Sequence, residues 1–385
     1  MSSPTPPRPQ TLKARARLIL LGVGTLAVLA LVFFLRRSGG SEGAEAAERN
    51  TGAAASTAGQ SQGGLKAGAP AGSPQDKGRA PSTPATGPRK PENLAELGWG
   101  SGPSQLGRER LQEGNPEAPM SMTVDPFGNV MVLDQVNGRL LRMDSEGKVQ
   151  GTFPLTQQTP QDIAVARDGT LVVLDRLRDK TVAILDPATG ALRGELPVEG
   201  KGIDEPGLVT GTFVDGDSVY VEREHGALIR IGDTSGRADA ERPEIPGRPT
   251  RDGRSYLLAG IIDRREGRVF VNAVDRQSGQ HRYTREFRLR FPLLTIALLD
   301  SDLSGVIYLG VTGELPTGKA EPASQLGLRV FCLEQLDGKV LGQTDLPINA
   351  MPEETFRDLA VLDEGGVLYR HITEAGVTLM RASCR

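Results

Sequence analysis

The chain has 385 residues and a formal net charge of −3 at pH 7, with 38% hydrophobic and 4% aromatic residues. This length allows one large domain with extensions, and the near-neutral charge excludes a chain-wide attraction to nucleic acid. Gly and Pro are concentrated in the first hundred residues, so the packed domain is expected in the remainder.

The first element in chain order is an apolar run. Residues 1–17 are polar and include four basic side chains, and Leu18–Leu35 then continues for 18 residues without a charge. As a helix this run would be roughly 27 Å long, enough to cross a thin hydrocarbon core. Arg36 and Arg37 follow directly, where a cleaved signal peptide would have a small-x-small site. We therefore predict an uncleaved signal-anchor helix at 18–35.

The charges flanking this helix predict its orientation. Basic side chains are retained on the cytoplasmic side, and more of them precede the helix than follow it. Residues 1–17 are thus expected in the cytoplasm and the rest of the chain in the periplasm, outside a bacterial inner membrane. Residues 38–92 are mainly Gly, Ala, Ser, Pro and Thr. They cannot bury enough apolar surface to offset the entropy of ordering, so we predict a disordered linker there.

The segment 120–149 predicts three short strands joined by hairpin turns. Polar and apolar residues alternate at 121–124, as in a half-buried strand. Residues 130–133 are all apolar, as in a strand that is buried on both faces. The turn between these runs contains Gly128, and Asn137-Gly138 is a strong hairpin signal before the third strand.

The same pattern returns five more times, and each copy has a glycine in its first turn. These glycines recur at roughly 40–60 residues, the range of one four-stranded unit per repeat. They are Gly128, Gly169, Gly216, Gly267, Gly305 and Gly365, so residues 261–272 are taken as the first hairpin of the fourth repeat. Because single sheets cannot bury both faces, we predict an all-β fold, a six-bladed β-propeller over residues 93–385.

The motif GWGSGPSQL at 98–106, followed by 122–149, resembles the NHL-repeat family of β-propellers. The shared features are a glycine-rich lead, a proline, an apolar-Asp-Gly hairpin and an Asp that closes the second strand. The match is good in the first two repeats, but repeats three to five lack the closing Asp. The resemblance implies a binding platform. Relatives of similar outline include lactonases and other hydrolases, which leaves a metal-dependent hydrolase with a site on the propeller axis as the alternative.

Closure of the ring is predicted from the two ends of the propeller. The chain stops after the third strand of the last repeat, whereas residues 93–99 precede the first repeat without a blade of their own. Pairing of Leu94–Leu97 with the last blade would remove an exposed edge strand. Trp99, the only tryptophan, would then pack near this seam.

The second strands are expected to end together at one rim of the ring. Alignment on the turn glycines places four polar side chains there, Asp134, Asp175, Arg223 and His371, with Ala273 and Gly310 at the same level. They could bind a polar ligand, or Asp134 and Asp175 could bind Ca²⁺ or Mg²⁺. Alternatively, each Asp caps its own turn. The sequence has no nucleophile elbow and no histidine cluster of metal-binding spacing, so we expect a non-catalytic module without a cofactor.

A basic face is predicted on the fourth repeat, because residues 251–290 contain ten arginines and five acidic residues. It could contact an envelope protein or an acidic glycan, or it could be a solvated charged surface. No nucleic acid is expected in this compartment. The arginines assigned to this face are Arg264, Arg265, Arg268, Arg282 and Arg285.

Two further features concern the end of the chain, which we expect to form a monomeric propeller. Cys332 and Cys384 fall on the third strands of adjacent repeats, and packed sheets stand about 10 Å apart, too far for most disulfides. A bridge would require Cys384 to leave its strand. Residues 311–326 are predicted to form a long loop in the fifth repeat, a candidate for partner contact.

Overall fold

The computed structural model describes residues 90–318 and 324–384. The predicted tail 1–17, the predicted anchor helix 18–35 and residues 38–89 of the predicted linker lie outside the described residues. Within the described ranges, no helix is long and apolar enough to cross a membrane. Strands and connecting turns make up this part of the chain, with two short 3-10 turns between them.

The strands form six four-stranded antiparallel sheets, which are numbered as blades in chain order after strand β1 (Glu92–Gly98). Blade one contains β2 (Ser121–Val124), β3 (Val130–Asp134), β4 (Arg139–Met143) and β5 (Val149–Pro154). Blade two contains β6 (Asp162–Val165), β7 (Leu171–Asp175), β8 (Thr181–Leu185) and β9 (Leu192–Pro197). Blade three contains β10 (Val209–Asp215), β11 (Ser218–Arg223), β12 (Ala227–Asp233) and β13 (Glu244–Ile245).

The remaining three blades follow the same order. Blade four contains β14 (Arg248–Pro249), β15 (Ser255–Asp263), β16 (Arg268–Asp275) and β17 (His281–Arg288). Blade five contains β18 (Leu293–Ser301), β19 (Ile307–Pro316), β20 (Ser324–Leu333) and β21 (Val340–Leu346). Blade six contains β22 (Leu359–Val361), β23 (Val367–Ile372) and β24 (Gly376–Ala382), and β1 is its outermost strand. The predicted all-β, six-bladed propeller is confirmed.

The hydrophobic core lies between neighbouring blades rather than at the centre of the ring. Strands of blades one and six share one apolar cluster, in which Met122 and Leu141 pack with Leu368 and Leu379. Comparable clusters join blades one and two, two and three, four and five, and five and six. Blade strands are therefore apolar on both faces, which explains wholly buried runs such as β3 and β7.

Closure by the N-terminal strand is confirmed. β1 pairs antiparallel with β24, and Leu97 lies opposite Val377. The side chain of Leu97 is buried in the cluster between blades six and one. At this seam the indole N–H of Trp99 donates to the carbonyl groups of Thr373 (3.2 Å) and Glu374 (3.1 Å).

The strands predicted to form the first hairpin of blade four were wrong. Residues 261–272 join β15 to β16, which are the second and third strands of the sheet, and Ala273 therefore lies in a third strand. The first hairpin joins β14 to β15, and its turn glycine is Gly253 (φ +75°) instead of Gly267. β14 has only two residues and one of them is a proline, so its strand pattern is too short to be recognised from alternation.

Two expectations about blade five also differ from the structure. Cys332 and Cys384 form a disulfide with their Cα atoms 6.0 Å apart. Cys384 lies beyond the end of β24, and its carbonyl group fits against Gly342, where a Cβ would collide with it. The segment 311–326 is not one long loop, because residues 311–316 extend β19 and residues 324–326 begin β20. Residues 319–323 are outside the described part.

Candidate functional site

A cavity of about 870 Å³ lies on the axis of the propeller, within the size range of small-molecule sites. Its walls come from the innermost strands of the blades, including Val124, Ala164, Phe213, Leu298 and Ala360. The short β14 leaves part of β15 uncovered, so residues of this second strand also line the cavity. Leu258 of β15 is 38% exposed there.

One end of the cavity carries an ion-pair cluster, called here the entrance cluster: Asp162, Phe213, Glu222, Arg248 and Arg357. Asp162, Arg248 and Arg357 lie at or just before the starts of first strands, Phe213 lies within β10, and Glu222 lies near the end of β11. The buried carboxylate of Asp162 accepts hydrogen bonds from Ser121 Oγ (2.6 Å) and Arg357 Nη2 (2.7 Å). The guanidinium carbons of Arg248 and Arg357 lie 4.6 and 5.0 Å from the ring centroid of Phe213, within the range of a cation–π contact.

Glu222 is the second buried carboxylate of the entrance cluster. It accepts hydrogen bonds from Arg248 Nη2 (2.7 Å) and Thr210 Oγ1 (3.0 Å), and His225 Nδ1 lies 3.7 Å from it. Burial alone would raise the pKa of Glu222, but the charge of Arg248, the nearby imidazole of His225 and hydrogen bonds from Arg248 and Thr210 lower it to about 2. In turn, the nearby carboxylate of Glu222 raises the pKa of His225.

His225 lies on a constrained hairpin turn between β11 and β12. Both Glu224 and His225 have positive φ, 50° and 56°, which costs about 1–2 kcal/mol for residues other than glycine. The turn is closed by Gly226 N–H, which donates to the carbonyl of Arg223 (2.9 Å), and by His225 N–H, which donates to Thr210 Oγ1 (2.9 Å). This conformation places the imidazole of His225 in the lining of the cavity.

The connection from β21 to β22, residues 347–358, crosses the same end of the cavity. Phe356 N–H donates to the carbonyl of Met120 (2.7 Å), and the Arg176 guanidinium carbon lies 4.8 Å from the ring centroid of Phe356. The buried carboxylate of Glu353 binds Arg108 (2.7 Å) and Arg110 (2.6 Å), which lie between β1 and β2. The connection is therefore fixed to blades one and two and to the segment between β1 and β2, and it narrows this end of the cavity.

The opposite end of the cavity has a separate ion-pair group. Arg251, in the turn between β14 and β15, binds Asp300 (2.8 Å) and Asp363 (2.7 Å) of blades five and six. Burial would lower the pKa of Arg251, but these two carboxylates raise it. Three blades are therefore held together where their first strands end.

The four rim residues predicted from the sequence lie outside this cavity. Asp134 accepts hydrogen bonds from Gly107 N–H, Asn137 Nδ2 and Arg139 Nε, each at 2.8 Å. Asp175 accepts hydrogen bonds from Thr159 N–H (2.6 Å) and Arg178 N–H (2.9 Å). Both carboxylates are fully buried and hold the turn after their own strand.

The other two predicted rim residues also have local contacts. Arg223 Nη1 donates to the carbonyl of Gly202 (2.6 Å). His371 Nδ1 lies 3.3 Å from Asn349 Oδ1, and burial lowers the pKa of its imidazole. Each of these four side chains therefore has its own local hydrogen-bond partners, and the structure does not gather them around the cavity.

The predicted basic face divides into two groups. Arg264 and Arg265 are exposed in the turn between β15 and β16, and Arg268 at the start of β16 binds Glu286 (2.7 Å). Arg282 and Arg285 lie on the outermost strand β17, where Arg282 binds Asp275 (2.6 Å) and Arg285 is exposed. Within 90–318 and 324–384, no three His, Cys, Asp or Glu side chains are grouped so that they could hold a metal ion.

Sequence reasoning missed the entrance cluster, although part of its signal was present. Asp162 is the first residue of β6, Arg248 the first of β14, and Arg357 lies two residues before β22. An alignment on the starts of the first strands, instead of the ends of the second strands, would have found these three. Glu222 carries no such signal, since its role depends on Arg248 from another blade.

No known family profile and no curated protein matches the chain. Solved structures match at low similarity. Hydrazine synthase of Kuenenia stuttgartiensis is 18% identical, with 68% of this chain and 76% of that chain covered and a TM-score of 0.43. A calcium-binding regucalcin of Agrobacterium tumefaciens is 14% identical (76% and 98% covered, TM-score 0.41). Virginiamycin B lyase of Staphylococcus aureus is 12% identical (72% and 99% covered, TM-score 0.38).

At these identities and TM-scores, the activities of those proteins have no bearing on this chain. The resemblance to NHL repeats stays a prediction from the sequence.

Proposed function

We propose that this chain is a membrane-tethered binding module, in which the propeller holds an envelope protein or an acidic glycan on the periplasmic side of a bacterial inner membrane. The apolar run 18–35 would anchor it with the N-terminus in the cytoplasm, and residues 38–92 would form the tether. In this role the propeller acts as a scaffold and catalyses no reaction.

The observation that carries this proposal is the preformed axial cavity. Its charged side chains are held by one another and by backbone carbonyl groups, as in the pairs Glu222–Arg248 and Asp162–Arg357. A surface that is already ordered loses little conformational entropy when a partner binds. About 870 Å³ is enough space for a sugar unit or a protruding side chain of a partner.

The disulfide supports the proposed compartment. Bridges such as Cys332–Cys384 persist in oxidising environments, including the bacterial periplasm, and are rare in the cytosol. Topology can be tested by adding protease to cells whose outer membrane has been opened. The proposal expects cleavage within 38–92 and release of an intact propeller, and protection of this segment would contradict the proposed orientation.

The binding role is tested by obstructing the cavity. Leu258→Trp adds bulk at a partly exposed cavity residue, and Leu177→Trp makes the same change at a residue that is 53% exposed outside the cavity. Photo-crosslinking of the full-length chain in intact cells should give a specific product that is about tenfold weaker for Leu258→Trp than for the control. Equal yields for both variants would contradict the cavity as the binding site.

Metal analysis tests the alternative activity. The binding module is expected to purify without a stoichiometric divalent ion. One tightly held Ca²⁺ or Mg²⁺ per full-length chain would overturn the proposal and favour the metal-dependent hydrolase.

A further inference from the structure

A groove of about 500 Å³ lies between the outer strands of blades four and five. Its floor is formed by Phe287 of β17 and Phe331 of β20, which belong to the apolar cluster between these blades. The groove is thus the outward continuation of the core between these two blades. Val340 of β21 is partly exposed on its far wall.

The spacing between the two blades is fixed next to this groove by a glycine. Gly338, in the turn between β20 and β21, has φ +69°. A Cβ at this position would lie 2.8 Å from Tyr283 Cε2 and 3.0 Å from Arg285 Cβ. The absence of a side chain lets the turn rest directly on β17, so the groove has a defined width.

The groove is strongly cationic. Four of its lining side chains are basic and one is acidic: Arg285, Arg288, Arg329 and Lys339, against Glu286. Glu286 already binds Arg268 (2.7 Å), and Arg329 Nη2 binds Asp345 (2.7 Å). Arg285 and Lys339 remain exposed, and their side chains form no hydrogen bond or ion pair within the described ranges. Arg288 lies on the other face of β17, where it and Arg268 act on Glu286.

The edges of the strands beside the groove are open. β17 pairs only with β16, and β21 pairs only with β20, among the described strands. Their outward N–H and C=O groups can therefore pair with an added strand. Side chains alternate across such a strand, so every second residue of a bound peptide would face the groove.

We propose that this groove binds an acidic, extended peptide segment of a partner protein, which adds to the open edge of β17. The side chains of the segment that face the groove are acidic and lie against Arg285 and Lys339, and the apolar side chains between them face away from it. The open backbone edge favours a polypeptide over a glycan. This inference rests on the proposed binding role and assigns one partner its chemistry.

The probe is a labelled peptide of alternating Glu and Val, matched to the eight residues of β17, with purified full-length chain in detergent. Arg285→Glu/Lys339→Glu should raise its dissociation constant about tenfold or more at low salt. The matched control is Lys148→Glu/Arg178→Glu, which makes the same charge change at exposed residues of blades one and two and should bind as the unaltered chain does.

Three outcomes would overturn the groove proposal: equal binding by both double variants, equal binding of a peptide with N-methylated alternate amides, or a heparin oligosaccharide that displaces the peptide from Arg285 and Lys339. The Leu258→Trp variant should keep peptide binding. Loss of the cavity-dependent crosslink with peptide binding intact would therefore separate the two sites, and unfolding curves of each variant confirm that the propeller is intact.

Discussion

Glu222 is 4% exposed, and its carboxylate lies between Arg248, Thr210 and His225. Its pKa falls from 4.5 to about 2, since the charge of Arg248 and the hydrogen bonds outweigh the effect of burial. A group with a lowered pKa stabilises the fold above its unfolded pKa, and this contribution is lost as the pH falls through the folded pKa. Glu222 therefore contributes roughly 3 kcal/mol to the free energy of unfolding above about pH 4.5. This contribution disappears as the pH falls towards 2.

Glu222→Gln is expected to lower the free energy of unfolding at pH 7 by about 1–3 kcal/mol, because Arg248 loses its charged partner. The variant should also lose most of the decline in stability between pH 4.5 and pH 2. Urea unfolding over this pH range measures both effects, with Glu146→Gln as the control at an exposed glutamate. A Glu222→Gln variant that keeps the acid-dependent decline would refute this account.

The same carboxylate raises the pKa of His225, so their interaction stabilises the fold below the unfolded pKa of about 6.5 and is lost as the pH rises through the folded value. NMR titration of His225 should give a lower pKa in Glu222→Gln than in the unaltered chain. An unchanged pKa would show that the imidazole lies too far from the carboxylate to respond.

Individual residues differ in how far the sequence predicts them. Asp134 and Asp175 end β3 and β7, as the alignment of the second strands predicted, because the hairpin glycines fix that register. Arg357 and Phe213 come together across 144 residues of chain through the closed ring. Pairing at this distance depends on how the blades are arranged around the axis, and no local pattern in the sequence encodes it.

At the scale of strands, the disulfide links β20 to the segment after β24. The two cysteines are separated by 52 residues, and closure of a loop of this length in the unfolded chain accounts for about 4 kcal/mol of stabilisation in the chain-entropy description. Cys332→Ser/Cys384→Ser is expected to lower the free energy of unfolding by about 2–4 kcal/mol. Urea unfolding of the oxidised protein measures the change.

A reducing agent provides the control for this prediction. It should destabilise the unaltered chain to about the level of the double variant and leave the double variant unchanged. An unaltered chain that is insensitive to reduction, together with free thiols on labelling, would contradict the bridge.

Blade four and the end of β24 show why the position of a strand within its sheet, and the residue at which it ends, are hard to predict. Glycine turns located the first hairpin of five blades. In blade four, β14 is too short to alternate, and the hairpin of β15 and β16 was assigned as the first instead. Cys384 was assigned to a strand position, whereas β24 ends at Ala382. Because β24 ends two residues before Cys384, this cysteine is free of the strand geometry that disfavoured a bridge, and the disulfide forms.

For the whole molecule, the ring closes through direct packing of blades one and six and through one strand from the N-terminal side. β1 satisfies the outer edge of β24 and contributes Leu97 to the cluster between blades six and one. Blades of a propeller contact only their neighbours, so the closing strand couples the first blade to the last. We expect removal of β1 to weaken this seam and to expose the edge of β24, which can then pair with another chain.

Two truncations test this coupling. A chain that begins at Lys90 keeps β1 and should unfold in one cooperative transition as a monomer. A chain that begins at Trp99 lacks β1 and should unfold at lower urea with a shallower slope, because part of the seam is already exposed to solvent. It should also form dimers or larger species on size-exclusion chromatography. If both chains have the same unfolding midpoint, slope and size, then the contacts between blades suffice to close the ring, and β1 serves only as a cover for the edge of β24.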